Sequence, residues 1–72
     1  RNAEWNYLFG AVLLRQGETD KAVLYFGIAA RQKPACAQYR TAFISAEAIR
    51  DRKRSAFQRI AEALFSARRK QG

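Results

Sequence analysis

The sequence predicts an all-α fold. Apolar residues recur at the three- and four-residue spacing of a helix face through most of the 72 residues, and no stretch alternates with the two-residue period of a strand. Gly17 and Pro34 stand where helices are expected to end. At this length, residues 1–72 form one small domain, whose core is too small to give more than marginal stability.

The first two predicted helices are separated by Gly17. Asn2 is expected to cap the first helix, with Glu4 in its first turn, and Thr19 or Asp20 is expected to cap the second. The predicted apolar face of the first helix is Trp5, Leu8, Phe9, Val12 and Leu13. That of the second is Ala22, Val23, Phe26 and Ala29.

Two further apolar faces follow Pro34. The third is Tyr39, Ala42, Phe43 and Ala46, and the fourth is Ala56, Phe57, Ile60, Ala63, Leu64 and Ala67. Because five consecutive charged residues, Arg50–Arg54, separate the two faces, we expect an exposed turn there, with Asp51 capping a fourth helix.

The alternative is one continuous helix from about Ala37 to Ala67, because no glycine or proline lies between Pro34 and Gly72. Such a helix would place Arg50 and Lys53 in the core, where unpaired charges are costly. It would also favour an exchange of halves between neighbouring copies.

Residues thirty-four positions apart match in identity or in size. Identical pairs are Ala3 and Ala37, Phe9 and Phe43, Ala22 and Ala56, and Ala29 and Ala63; Trp5 and Tyr39, and Phe26 and Ile60, are similar pairs. The first unit also contains Leu8-Phe9-Gly10, the stretch from Arg15 to Ala22, and Pro34. In these residues the chain resembles the tetratricopeptide repeat family, whose unit is a thirty-four-residue helix pair.

The resemblance implies two stacked antiparallel helix-turn-helix pairs in a short right-handed α-solenoid, with repeat one at about 3–34 and repeat two at about 37–70. It implies that Gly10 and Ala22 allow the paired helices to approach closely. Repeat two is degenerate, because Ile44 and Asp51 stand where repeat one has Gly10 and Gly17.

The resemblance also implies a groove that is lined by the first helix of each pair and binds a peptide or helix of a partner protein. The function expected is that of a protein–protein interaction module, such as a scaffold, assembly factor or chaperone. The groove residues would be Tyr7, Ala11, Leu14, Arg15, Gln38, Thr41, Ser45 and Ile49. Alternatively, Tyr7, Leu14 and Ile49 cover a neighbouring repeat or a second copy, which would make the chain a structural homo-oligomerisation element.

The net charge of +8 is concentrated near the C-terminus, where residues 50–70 include eight basic and two acidic residues. Such a segment attracts acidic protein, nucleic acid or an anionic membrane. The alternative is a solvated helix face with basic residues near a C-terminus, where the helix dipole favours them. The candidate polyanion-binding residues are Arg50, Arg52, Lys53, Arg54, Arg68, Arg69 and Lys70.

Enzymatic chemistry is not expected. The chain has no histidine and a single cysteine, Cys36, so it offers neither a zinc site nor a cysteine–histidine pair, and we expect no metal or cofactor. Cys36 is expected to be a buried, inert thiol, and we expect a cytoplasmic or other reducing compartment. No apolar run approaches the length needed to span a membrane.

Overall fold

The computed structural model describes residues 2–71, with side chains described as far as Ala67. These residues form three helices, α1 (Ala3–Arg15), α2 (Thr19–Gln32) and α3 (Ala37–Gln71), and include no strand. Helix α2 lies between the other two and packs against both. The all-α prediction is therefore confirmed for the described chain.

The ends of α1 and the turn at Gly17 follow the sequence prediction, whereas the cap of α2 differs from it. Asn2 caps α1, since its side-chain oxygen accepts a hydrogen bond from the backbone N–H of Glu4 at 2.8 Å. Gly17 adopts a φ of +83°, a conformation that reverses the chain and is costly for any residue with a Cβ atom. The predicted cap of α2 is wrong: Glu18 occupies the N-cap without a side-chain hydrogen bond, and Thr19 begins the helix.

The face of α1 that packs on α2 is rotated relative to the predicted face. The buried residues of α1 are Ala3, Asn6, Gly10 and Leu13. Trp5 and Leu8, which were expected in the core, are about half exposed. Ala3 and Gly10 leave room for α2 to approach. Among the large residues of α1, Leu13 is buried and Tyr7, Phe9 and Leu14 pack against the core, whereas Trp5, Leu8 and Val12 are about half exposed.

The buried polar residue in this interface, Asn6, is paired. Its Nδ2 donates a hydrogen bond to Oε1 of Gln32 at 2.9 Å, so the α1–α2 pair is joined at its open end by side-chain amides. On α2, the predicted core residues Ala22, Val23, Phe26 and Ala29 are all buried.

The predicted turn at Arg50–Arg54 is wrong, because α3 continues through it without interruption. Asp51 is inside the helix and caps nothing, so the described residues do not include a second helix pair. The objection to a continuous helix was the burial of Arg50 and Lys53. Neither cation is buried without a partner. Arg50 forms ion pairs with Glu47 and Asp51, and Lys53 donates a hydrogen bond to Thr19 at the edge of α2.

Helix α3 is much longer than the helix that covers it. Thirty-five residues at about 1.5 Å per residue extend roughly 52 Å, close to the longest dimension of the chain, 55 Å. The N-terminus of α2 reaches only to Lys53 and Arg54 of α3, so the second half of α3 projects beyond the α1–α2 pair.

Candidate protein-binding surfaces

The candidate groove lies between α1 and the first half of α3, which both pack against α2. On α1 the row is Tyr7, Ala11, Leu14 and Arg15, and on α3 it is Gln38, Thr41, Ser45 and Ile49. The spacings within each row are those of a single helix face, so each row follows one side of its helix.

Tyr7 is where the two rows meet. Nε2 of Gln38 donates a hydrogen bond to the Tyr7 hydroxyl oxygen at 3.1 Å, and the rings of Tyr7 and Tyr39 stack with their centroids 5.0 Å apart. The Tyr7 ring also contacts Phe26 of α2, at a centroid distance of 5.7 Å. Tyr7 therefore packs against both neighbouring helices and is only half-buried.

The remaining groove residues divide by exposure. Ala11 and Leu14 are half-buried against the core cluster, and Ile49 is half-buried on α3. The exposed members are Arg15, Gln38, Thr41 and Ser45. The groove thus has a partly apolar floor and polar edges, an arrangement that suits a peptide whose backbone and side chains both need hydrogen-bond partners.

The candidate polyanion-binding residues that the structure describes are largely engaged within the chain. Lys53 donates a hydrogen bond to the hydroxyl of Thr19 at 2.8 Å, and Arg54 lies 3.6 Å from a carboxylate oxygen of Asp20. Arg50 pairs with two acids of its own helix, and Arg52 is exposed. The side chains of Arg68, Arg69 and Lys70 lie outside the described residues. Polyanion binding stays a prediction.

A second surface, which the sequence analysis assigned to the core, lies on the projecting half of α3. Phe57, Ile60 and Leu64 are 74%, 60% and 64% exposed. They are spaced by three and four residues, so they share a face, and with Ala61 on the same face they form the surface that we call the α3 stripe. A cleft of about 520 Å³ between the α1–α2 turn and α3 is lined by Thr19, Lys53, Phe57 and Ala61, among others.

The signal for this exposed stripe was present in the sequence. Tyr39, Ala46 and Lys53 face α2, and positions 57, 60 and 64 continue the same seven-residue repeat. An uninterrupted repeat across positions 50–54, together with the lack of glycine and proline, indicates one helix with one continuous face. The cluster of charges outweighed this signal in the sequence analysis.

The surroundings of Cys36 show which groups lie near the only thiol. Cys36 is half-buried and packs against the cluster of Ala3, Ala29 and Tyr39.

Burial raises the pKa of the Tyr39 hydroxyl above its ordinary value, and negative charge on Cys36, Glu4 and Tyr7 acts in the same direction. The described residues contain no cluster of three or more groups that would hold a metal ion.

Comparisons with known proteins do not assign the chain to a family. The chain matches no protein-family model, and it has no significant match among curated proteins or solved structures. No helix in the described part of the chain is both long and apolar enough to cross a membrane.

Proposed function

We propose that the chain is a protein–protein interaction module of the tetratricopeptide type, in which a segment of a partner protein lies along the groove between α1 and α3. The observation that supports this most directly is the junction at Tyr7. Its contacts with Gln38, Tyr39 and Phe26 hold α1 and α3 side by side on α2.

A groove held in this way is available before the partner binds. Tyr7 contacts residues of α2 and α3 at once, so the relative position of the two groove-lining helices is determined by aromatic packing. Pre-organisation of this kind reduces the entropic cost of binding a peptide. It suits a scaffold, assembly factor or chaperone, which holds a partner without changing it chemically.

The chemistry of the groove suggests what the partner segment contains. Half-buried Leu14 and Ile49 offer apolar contacts, and exposed Gln38, Thr41 and Ser45 supply hydrogen-bond donors and acceptors. The exposed guanidinium of Arg15 favours an acidic residue at the corresponding position of the segment. We therefore propose a segment with alternating small apolar and polar residues and at least one acid.

The groove is tested with peptides selected from a random phage-displayed library and then synthesised for fluorescence anisotropy. Ser45→Glu places a bulky anion, which repels an acidic segment, on an exposed groove position without disturbing the core, and Ser55→Glu makes the same change at an exposed position of α3 outside the candidate rows. We expect at least about tenfold weaker binding for the first variant, corresponding to about 1.4 kcal/mol, and unchanged binding for the second. The proposal is rejected if no peptide is enriched, or if both variants bind equally well.

A further inference from the structure

We infer that the α3 stripe, together with Ala67 one turn further along, is a self-association surface, and that its occupant is the same segment of a second copy, running in the opposite direction. This goes beyond the proposed groove, which lies between α1 and the first half of α3. The inference depends on three observations: the continuation of the α2 contact line past the end of α2, the sizes of the side chains along that line, and the position of the charges away from it.

The α3 stripe continues the line along which α2 packs on α3. Helix α2 runs antiparallel to α3, because Gly27 lies against the ring of Phe43 whereas Thr19, at the start of α2, bonds to Lys53. Beyond Lys53 the seven-residue repeat that faces α2 continues through the α3 stripe to Ala67, and none of the described residues covers it. A contiguous row of exposed large apolar side chains usually marks an interaction site. An antiparallel helix in line with α2 would complete this one.

Two copies of this row complement each other in one antiparallel register. When the two-fold axis passes beside Glu62, Ile60 of each copy meets Leu64 of the other, and Phe57 meets Ala67. The largest side chain of the row then lies opposite the smallest, and two branched aliphatic side chains of similar size meet between them. A two-fold interface requires such a match, because the same patch forms both of its sides.

Alanines flank the row on both sides. Ala61 lies along one edge, and Ala56 and Ala63 lie along the other. Small residues at these positions allow a second helix to approach closely, so the larger side chains of the row can interdigitate. In paired helices the flanking positions often carry charges that select a different chain as the partner. Between residues 55 and 67 they carry none, so the row itself determines what fits.

The charges of this segment lie away from the contact. Between residues 55 and 67 the charged residues are Arg59 and Glu62, and helical spacing places both on the side of α3 opposite the α3 stripe. A second copy therefore meets no like charge along the α3 stripe. Basic residues lie beyond its two ends, at Arg52–Arg54 and at positions 68–70, and the antiparallel register brings these two groups to the same level. Their repulsion opposes the pairing at low salt and weakens as salt screens it.

The cleft at the start of α2 leaves room for the end of the second helix. In the two-fold register, Gln71 of one copy reaches the level of Lys53 of the other, where α2 begins. The cleft of about 520 Å³ lies at this level and is lined by Gly17, Phe57 and Ala61, among others. Helix α3 of the second copy would thus continue the line of α2 and cover the α3 stripe over its whole length.

The dimer is expected to be weak, because the row contributes few side chains from each copy, against about 20–30 residues a side in a standard stable interface. Sedimentation equilibrium of the complete chain, from about 10 μM to about 1 mM and at low and high NaCl, measures the association. We expect a monomer–dimer equilibrium that shifts towards the dimer as salt rises. A monomer at every concentration, or association that weakens as salt rises, would overturn the inference.

A matched pair of variants locates the contact. Ile60→Ser should weaken association about tenfold or more, because the two-fold axis places Ile60 in a layer on each side of the dimer and both layers lose apolar contact. Ile44→Ser is the control: Ile44 is 63% exposed and Ile60 is 60% exposed on the same helix, but Ile44 precedes Lys53 and lies outside the proposed contact. Its association should stay within about twofold. Circular dichroism verifies that both variants stay folded, as expected for exposed positions. Equal effects of the two changes would remove the role of the α3 stripe.

Cysteine cross-linking tests the direction of the pairing. Ala61→Cys and Ser55→Cys are each made in a Cys36→Ser background, so that every chain has one thiol. The two Ala61 positions lie side by side near the two-fold axis, whereas the two Ser55 positions point away from the contact and are about 20 Å apart along the helices. A short bismaleimide should therefore link Ala61→Cys and leave Ser55→Cys unlinked. No preference for Ala61→Cys would overturn the antiparallel register. Ser45→Glu should leave association unchanged, so the groove and the α3 stripe fail or succeed separately.

Discussion

Gly10 of α1 lies directly against the ring of Phe26 of α2. A Cβ atom placed on Gly10 would be 2.8 Å from Cδ1 of Phe26 and 2.9 Å from Cε1, closer than carbon atoms approach without displacement. The ring is buried and also contacts the ring of Tyr7 of α1, so it has little room to move. This close approach places α1 and α2 at their observed separation.

Gly10→Ala should therefore destabilise the chain, although alanine is the better helix former. The gain in helix propensity is about 1 kcal/mol, and overpacking against a buried ring costs about 1–3 kcal/mol. We expect a lower urea midpoint for Gly10→Ala. In a Phe26→Leu background, which shortens the opposing side chain, the same substitution should be neutral or stabilising. An equal loss in both backgrounds would mean that the contact with the ring is not the cause.

The hydrogen bond between Lys53 and Thr19 joins α3 to the start of α2. Thr19 is buried, and its hydroxyl oxygen accepts from Nζ of Lys53 at 2.8 Å. Lys53→Met should lower the free energy of unfolding by about 1–2 kcal/mol, because it leaves a buried hydroxyl without this donor. Chemical denaturation measures the loss, with Arg52→Met as the control at an adjacent exposed position.

A double-mutant cycle isolates this interaction from the other effects of each substitution. Thr19→Val removes the acceptor, so Lys53→Met should cost little more in that background. Additive losses in the cycle would show that the hydrogen bond contributes nothing to stability, and the change at Lys53 would then act only through packing of its aliphatic chain.

The α1–α2 pair could be predicted closely because local signals and packing agree there. Asn2, Gly17 and Pro34 mark its boundaries, and the small residues Gly10, Ala22 and Ala29 indicate where helices approach. The sequence did not predict which face of α1 packs on α2, because bulky side chains such as Trp5 fit the helical periodicity equally well on an outer face.

The prediction for α3 failed because it assumed that both halves of the segment pack on a core, whereas the second half of α3 is not packed. Arg50 and Lys53 argue against a continuous helix only if both of its halves are packed on a core. In the structure, α2 covers the first half alone, so the cations meet acids and a hydroxyl at the edge of the contact. The groove rows follow from helical periodicity, whereas the contacts of Tyr7 with Gln38 and Tyr39 depend on the packing of α3 against α2.

Tyr39 should make the stability of the chain sensitive to high pH. Its pKa in the folded state is raised above the ordinary value of 10.0, chiefly by burial. Below pH 10 the phenol is neutral in both states, and above it the unfolded chain ionises first, so the folded state loses stability as pH rises. Tyr39→Phe removes this loss. The difference in urea midpoint between the unsubstituted chain and Tyr39→Phe should be constant from pH 7 to about 9 and move in favour of Tyr39→Phe above about pH 10. A difference that stays constant throughout would contradict the assignment of this pH dependence to Tyr39.

The continuity of α3 predicts a long distance between Thr41 and Glu62. Twenty-one residues of uninterrupted helix separate their Cα atoms by about 31 Å, whereas a turn at Arg50–Arg54 would bring the two positions to within about 10 Å on adjacent antiparallel helices.

Both side chains are exposed, so cysteine can replace them in a Cys36→Ser background and carry spin labels. Double electron–electron resonance should give a distribution centred near 31 Å, broadened by the label linkers. Dilution with unlabelled protein distinguishes distances within one chain from distances between chains. A short intramolecular distance would restore the fourth helix and contradict the exposure of the α3 stripe.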